Sequence, residues 1–124
     1  MFDSTIVFLP TTDLSRTADF YEHALRLERV LDQTSCQIFQ TSEAGYLGFC
    51  LREQAPINDS VILTLVTEEV DEWKDILEQR GVVIEKPPTY NPEYKIYQMF
   101  LRDPNGYLIE VQRFEDPRWQ KKAM

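Results

Sequence analysis

Residues 100–113, FLRDPNGYLIEVQR, contain the side chain with the clearest capacity for chemistry, Glu110. A carboxylate binds divalent metals, serves as a general base or pairs with a cation. The DPNG sequence has proline at the second and glycine at the fourth turn position, which is typical of a type I turn closed by a left-handed glycine. Such a hairpin pairs Asp103 with Tyr107, and it predicts that Phe100 and Glu110 lie opposite each other on one sheet face.

The two faces of this predicted hairpin differ in polarity. The face with Glu110 also carries Ile96, Gln98, Leu108 and Gln112. The opposite face is apolar and should pack under the helices; it carries Met99, Leu101, Ile109 and Val111. Glu110 therefore points away from the helices and needs a partner, because burying an unpaired carboxylate among apolar groups is unfavourable. Two kinds of partner are open: a cationic or hydrogen-bond-donating ligand, or an internal donor among Thr64, Gln98 and Gln112.

Apart from carboxylates, the residues that commonly bind metals are one histidine and two cysteines. His23 falls on the solvent face of the predicted first helix, where a surface role is expected. Cys36 and Cys50 fall in two strands predicted to pair, diagonal to each other, where a disulfide would be strained. Two free thiols in a reducing compartment are expected, and the absence of CxxC spacing argues against a cysteine-based metal site.

Length and charge limit the class of protein. A chain of 124 residues fits a single domain spanning residues 1–124. The net charge of −8 argues against binding of nucleic acid or an anionic membrane surface, both of which need clustered Lys and Arg. The one basic cluster, Arg118, Lys121 and Lys122, is expected to be a solvated terminus. The sequence has neither a signal peptide nor an apolar run of membrane length, and a cytoplasmic location is expected.

The chain contains the same order of elements twice. Residues 5–9 predict a strand, and a helix capped by Thr12 or Asp13 follows with an apolar stripe at helical spacing. The stripe consists of Leu14, Ala18, Tyr21 and Leu25. Three further strands are predicted at residues 28–32, 35–40 and 46–52.

The second half repeats this pattern. Residues 61–66 predict a strand, and the next helix ends at Gly81 after the stripe Val70, Trp73 and Leu77. Strands are predicted at residues 82–85, 95–102 and 107–113, and the polar segment 53–60 is the expected linker. The predicted fold class is α+β, with two tandem βαβββ modules at about residues 4–52 and 61–114 that share one core.

The DPNGYLIE and DLSRTADFYEHAL sequences and the doubled βαβββ order resemble the glyoxalase, bleomycin-resistance and extradiol-dioxygenase (vicinal oxygen chelate) superfamily. The resemblance spans about residues 5–113. It implies a curved mixed sheet that encloses a trough, where the family's enzymes hold a divalent metal with His or Glu from the first and last strands. Glu110 matches the last-strand acid. The first-strand histidines correspond to Ile6 and Ile62, which cannot bind a metal, and the fourth position falls at or beside Phe49.

One oxygen ligand holds a divalent ion only loosely, so no metal cofactor is expected. The resemblance also places glycine at the end of the first helix, where this chain has Arg26. A non-glycine residue in a left-handed cap costs about 1 kcal/mol, or else the turn differs.

The implied trough is lined by Ile6, Phe8, Ile62, Thr64, Phe100 and Glu110. We match the first hairpin to the second by laying residues 45–47 on residues 106–108. This register adds Phe39 and Phe49 to the trough, with Gln37, Leu47 and Leu51. The alternative register turns these side chains to the helices, which their apolar pattern favours, and turns Gln40, Cys50 and Arg52 to the trough.

Two segments outside the modules' strands have expected roles. Residues 86–95, KPPTYNPEYK, predict a lid loop, since three prolines stiffen the segment and two tyrosines offer contact surface. Trp119 in the tail is expected to pack over the domain or over a partner chain, and the resemblance implies a homodimer.

Three functions are compatible with these patterns. The preferred one is a metal-free protein that binds a small aromatic or cationic molecule in the trough around Glu110, similar to the sequestering drug-resistance branch of the family. The alternative is a lyase, isomerase or dioxygenase of the superfamily, with atypical metal ligands or with Glu110 as a general base. The third is a non-catalytic interaction module.

Overall fold

The computed structural model describes residues 1–56 and 59–119. Within this part of the chain the fold is α+β, with two four-stranded mixed sheets that each belong to one βαβββ module, as predicted. Contacts divide the chain into two compact units, residues 1–58 with 103–107 and residues 59–102 with 108–124. Part of the predicted linker 53–60, and both Lys121 and Lys122 of the predicted basic tail, lie outside the described residues.

The first module runs β1 (Thr5–Thr11), α1 (Leu14–Asp19), β2 (Glu28–Asp32), β3 (Cys36–Ser42) and β4 (Gly45–Leu51). Helix α1 continues into a π-helical turn, Phe20–Ala24. The strand order is β1-β4-β3-β2, with β1 parallel to β4 and the other pairs antiparallel. Asp13 caps α1, because its carboxylate accepts a hydrogen bond of 3.0 Å from the backbone N–H of Arg16.

The second module runs β5 (Ile62–Val66), α2 (Val70–Gln79), β6 (Ile84–Asn91), β7 (Ile96–Arg102) and β8 (Leu108–Phe114). Its strand order, β5-β8-β7-β6, repeats that of the first module. Gly81 follows α2 with a φ of +79°, the left-handed conformation predicted for it. The predicted apolar face of β7 and β8 is buried and packs under α2; it consists of Met99, Leu101, Ile109 and Val111.

The DPNG turn at residues 103–107 belongs to the first unit. Gly106 has a φ of +95°, and the Asp103 N–H donates to the Tyr107 carbonyl at 3.1 Å, as the predicted turn requires. The buried Asp103 carboxylate accepts four hydrogen bonds: from the Tyr21 hydroxyl (2.8 Å), the Tyr107 N–H (2.8 Å) and both nitrogens of Asn105 (2.9 and 3.1 Å). Burial, and then the adjacent Asp103 carboxylate, raise the pKa of Tyr21 well above its usual value.

The first hairpin does not have the register predicted by laying residues 45–47 on residues 106–108. Tyr21 packs against the rings of Phe39 and Phe49, with centroid distances of 5.8 and 4.7 Å, and all three side chains are fully buried. Phe39 and Phe49 therefore face the helix, as in the alternative register. The prediction that they line the trough was wrong.

The strand pairing gives the reason for this error. Phe8 pairs with Gly48 in the first sheet as Thr64 pairs with Glu110 in the second, and Gly48 and Glu110 are 62 residues apart. The predicted register lays residues 45–47 on residues 106–108, an offset of 61. With the observed offset of 62, the residue that corresponds to Gly106 is Ala44 and not Gly45. A displacement of one residue along a strand turns every side chain to the other face.

The same displacement of one residue explains why the two cysteines were not predicted to form a disulfide. Cys36 lies directly opposite Cys50 in the β3–β4 pairing, with Cα atoms 4.1 Å apart, and the two form a disulfide. A one-residue error in each of the two strands moves this pair onto the diagonal. The prediction of two free thiols was therefore wrong.

Strand β6 extends into the segment predicted to be a lid. The strand continues to Asn91, and within residues 86–95 only residues 92–95 form a turn, so the lid prediction was wrong. Pro87 and Pro88 fall where the pairing with β7 is irregular, between Lys86 and Thr89. Proline is compatible with this strand because β6 is the outermost strand of its sheet and the irregular pairing does not need the missing N–H groups.

Arg26 occupies the left-handed position predicted after the first helix, with a φ of +59°. We predict that Arg26→Gly raises the free energy of unfolding by about 0.5–1 kcal/mol. Glycine adopts a positive φ without the steric cost, although it loses more backbone entropy on folding. Urea unfolding followed by circular dichroism measures the change. Arg80→Gly is the matched control, because Arg80 has a φ of −96° and its replacement should not stabilise; an equal gain in both variants would contradict the explanation.

Candidate functional site

The sheet of the second unit places four side chains in one row, on the face opposite α2. Lys86 of β6 pairs with Phe100 of β7, Phe100 with Glu110 of β8, and Glu110 with Thr64 of β5. The predicted pairing of Phe100 with Glu110 is thereby confirmed. Neighbouring strands lie about 4.8 Å apart, so the row extends over about 14 Å from Lys86 to Thr64.

Glu110 is 9% exposed, and both oxygens of its carboxylate have hydrogen-bond donors. The Thr64 hydroxyl donates to Oε1 at 2.9 Å. The Gln112 amide, oriented with its nitrogen toward the acid, donates to Oε1 and Oε2 at 3.1 and 3.0 Å. Among the described residues of the second unit, the ion pairs involve other carboxylates. Two of the predicted internal partners are thus present, and both are neutral.

Phe100 separates Glu110 from the positive charge of Lys86. The Lys86 Nζ atom lies 6.0 Å from the centroid of the Phe100 ring, at the outer limit of a cation–π contact. The sequence does not indicate Lys86 as a site residue, because KPP predicts a loop. Nothing in the sequence indicates the irregularity between Ile84 and Lys86 that brings Lys86 opposite Phe100.

Ile62 lies one pair further along the same face, where it pairs with Leu108 of β8. Its side chain is exposed, whereas Gln98 and Gln112, which pair with each other on the opposite side of the row, are buried. The immediate surroundings of Glu110 therefore combine its buried carboxylate, buried amides and accessible apolar surface.

The first unit has an apolar counterpart of this row. Gly48 occupies the position that corresponds to Glu110, and Phe8 the position that corresponds to Thr64. The Phe8 ring lies directly over Gly48, so that a Cβ atom at residue 48 would collide with the ring. Ile6 and Phe8 are both exposed, on the sheet face opposite Phe49. The first module therefore offers hydrophobic contact but no carboxylate at this position.

The donor set around Glu110 does not fit the family's metal site. One carboxylate, one hydroxyl and one amide replace the His and Glu ligands, and Ile6 and Ile62 offer no donor atom. In residues 1–56 and 59–119, no three His, Cys, Asp or Glu side chains lie together as a metal-binding group. His23 is exposed, as predicted, with Nε2 3.7 Å from the Asp19 carboxylate.

Trp119 packs over its own unit, which is one of the two arrangements predicted for it. The indole of Trp119 stacks on the ring of Phe114 in β8, with centroids 3.9 Å apart and an interplanar angle of 15°. Arg118 pairs with Asp116 at 2.7 Å rather than remaining only solvated. The homodimer stays a prediction.

The family model described as the Glyoxalase/Bleomycin resistance protein/Dioxygenase superfamily matches residues 4–111. The chain belongs to this superfamily. No curated protein matches the sequence.

Three solved structures illustrate the likeness of fold. A glyoxalase/bleomycin resistance protein/dioxygenase from Nocardioides has a TM-score of 0.78 at 17% identity, covering 97% of this chain and 88% of that one. Lactoylglutathione lyase from Agrobacterium tumefaciens has a TM-score of 0.72 at 23% identity, covering 87% and 90%. TioX from Micromonospora sp. ML1 has a TM-score of 0.75 at 20% identity, covering 89% and 97%. At these identities the likeness concerns the fold.

No helix in the described parts of the chain has the length and apolar character required to cross a lipid bilayer. The cytoplasmic location stays a prediction.

Proposed function

We propose that this protein binds a small molecule carrying an aromatic ring and one protonated amine, on the sheet face around Glu110, without a metal ion. The observation that supports the proposal is a carboxylate that is nine-tenths buried while both of its hydrogen-bond donors are neutral. An ionised carboxylate accepts about four hydrogen bonds, and three contacts come from Thr64 and Gln112. A ligand ammonium supplies a further donor and the countercharge that neutral partners do not provide.

The neighbours of Glu110 define the rest of the ligand. Phe100 lies next to the acid in the row and offers the face or edge of its ring to an aromatic group. Ile62 adds accessible apolar surface on the same face. Lys86, beyond Phe100, disfavours a second positive charge at that end of the ligand. The ligand therefore carries its cationic group at the Glu110 end only.

The description of the superfamily includes bleomycin resistance protein, and the resemblance noted from the sequence extends to a sequestering drug-resistance branch. Binding without turnover needs one recognition group and an apolar surface, both of which Glu110, Phe100 and Ile62 supply. Catalysis by proton abstraction would need a carboxylate with an oxygen free to accept the proton from the substrate. Both oxygens of Glu110 already accept hydrogen bonds from Thr64 and Gln112.

Thermal unfolding in the presence of three matched probes tests this proposal. Benzylammonium is expected to raise the Tm, benzyl alcohol to raise it less, and benzoate to have no effect, since only the first combines ring and positive charge. Glu110→Gln keeps the shape of the side chain and is expected to weaken benzylammonium binding about tenfold or more, the loss typical of a charge-assisted hydrogen bond.

Glu93→Gln is the matched control for net charge, because Glu93 is an exposed acid of the second unit in the turn between β6 and β7. This variant should bind benzylammonium like the wild type. Equal weakening by both substitutions would indicate a general electrostatic effect, and a Glu110→Gln variant that binds normally would refute the proposed site.

Elemental analysis of untagged protein tests the metal-free part of the proposal. After incubation with Zn, Ni, Mn or Fe(II) and desalting, the protein is expected to retain far less than one ion per chain, since a single carboxylate binds a divalent ion weakly. A near-stoichiometric ion would contradict the proposal and favour the lyase, isomerase or dioxygenase alternative.

A further inference from the structure

A polar groove lies in the first unit, whereas Glu110 belongs to the second. It has a volume of about 1090 Å³ and is lined by residues of α1, the π-helical turn, β2, β3 and the turn between these two strands. Its charged side chains are four carboxylates and two guanidinium groups, which give it a formal charge of −2 with His23 neutral. A cluster of acids alone does not define a binding site, because solvated acids are common on protein surfaces.

One residue that lines the groove, Gln37, has an unusual side-chain carbonyl. Gln37 is 9% exposed and lines the groove, yet its Oε1 atom is buried and has no hydrogen-bond partner in the described part of the chain. Its Nε2 atom donates to Asp32 Oδ2 at 3.3 Å. This bond fixes the orientation of the amide, because the opposite orientation would place two acceptors against each other. Buried acceptors without partners are rare in folded proteins and costly to leave unpaired.

A second acceptor beside Gln37 is also incompletely used. Glu22 Oε1 is buried and accepts no hydrogen bond, although it lies 3.2 Å from Nε of Arg29. Arg29 also lies near Asp32, with Nη1 3.8 Å from Oδ2, so that one guanidinium is shared between two carboxylates. The groove thus presents a buried neutral acceptor and carboxylates that one cation does not saturate.

We propose that this groove is a second binding site, for a small organic cation that carries several N–H donors, such as a primary ammonium or a guanidinium group. The N–H groups donate to Gln37 Oε1 and Glu22 Oε1, and the positive charge offsets the excess of carboxylates. Metal binding is a poorer match, because one of the two buried acceptors is a neutral amide oxygen and, among the described residues, no three His, Cys, Asp or Glu side chains lie together as a metal-binding group. The site is independent of Glu110, which belongs to the other unit.

Side-chain amide signals in two-dimensional ¹H–¹⁵N NMR spectra locate binding directly. Titration with butylammonium is expected to shift the Gln37 amide signals, whereas tetramethylammonium, which has the same charge and no N–H group, leaves them unchanged. Both titrations are done at matched ionic strength. The Glu110→Gln variant should show the same Gln37 shifts, which separates this site from the one around Glu110.

Gln37→Leu distinguishes a ligand-binding role from a structural one. The substitution keeps the size of the side chain and removes the unpaired acceptor. In this variant the backbone amide signals of groove residues such as Asp32 report binding, and butylammonium affinity should fall tenfold or more without a lower midpoint of urea unfolding. Glu22→Gln should also weaken binding, while Glu43→Gln, an equal change of charge in the exposed turn between β3 and β4, should not. Three results would overturn the proposal: an equal response to tetramethylammonium, undiminished binding by Gln37→Leu, or equal effects of Glu22→Gln and Glu43→Gln.

Discussion

Replacement of Asp103 by alanine is expected to lower the free energy of unfolding by about 3–5 kcal/mol. The carboxylate is 5% exposed and accepts hydrogen bonds from Tyr21, Tyr107 and Asn105. Its removal leaves three buried or part-buried donors without this acceptor, namely the Tyr21 hydroxyl and the backbone N–H groups of Tyr107 and Asn105. Each unpaired donor costs about 1–3 kcal/mol. Urea unfolding followed by circular dichroism measures the loss.

Tyr21→Phe provides the graded comparison, because it removes one of these bonds and keeps the aromatic ring in contact with Phe39 and Phe49. Its expected cost is about 1 kcal/mol. Should the alanine variant lose no more stability than Tyr21→Phe, the carboxylate would not organise the turn as the hydrogen bonds indicate. Asp103→Asn, which retains one acceptor oxygen, should fall between the two and remains informative if the alanine variant does not fold.

Reduction of the Cys36–Cys50 disulfide is expected to lower the free energy of unfolding by about 3 kcal/mol. The two cysteines are 14 residues apart in sequence, and closing a loop of about this size restricts the unfolded chain by roughly that amount in the chain-entropy model. Chemical unfolding with and without a thiol reductant measures the difference, and a count of free thiols on the unfolded, unreduced protein verifies the starting state.

The double variant Cys36→Ala/Cys50→Ala separates the bond from other effects of the reductant. Its stability should equal that of the reduced wild type within about 1 kcal/mol and should not respond to reductant. Two free thiols in the protein purified without reductant would instead support the expectation from the sequence. A reductant effect of the same size in the double variant would attribute the change to something other than this disulfide.

The order of the elements follows from the sequence because each half repeats a strong local pattern. The apolar stripes of both helices and the DPNG turn specify their structures through neighbouring residues alone. Gly81 and Gly106 adopt the positive φ values that their positions predict. The pairing of Phe100 with Glu110 is equally predictable, since the turn type fixes the register of the strands that it joins.

The first hairpin could not be placed in this way, because its turn has no proline or glycine at the positions that define a turn type. The match of Gly45 to Gly106 is off by one residue, and this error alone reverses the face of Phe39 and Phe49. The apolar pattern of the strand favours the observed face. The face of Phe39 and Phe49 is thus set by packing against Tyr21, and the similarity of three residues between the hairpins does not indicate it.

The two sites differ in how far the sequence predicts them. Glu110 and Thr64 lie together because two strands pair in register, and both were candidates from the pattern. Lys86 joins the row only through an irregular pairing, and the unpaired oxygen of Gln37 depends on how side chains of the first unit pack around it. Such features arise from packing between elements distant in sequence, which local patterns do not encode.

The consecutive prolines of β6 have a consequence for how the protein behaves at high concentration. A terminal strand with a free row of N–H and C=O groups invites the strands of other molecules to add on and extend the sheet. Pro87 and Pro88 have no N–H to offer, and the irregular pairing around them disturbs the regular spacing that an incoming strand would need. This border of the second sheet is therefore protected against strand addition by its own sequence, and self-association through β6 is disfavoured.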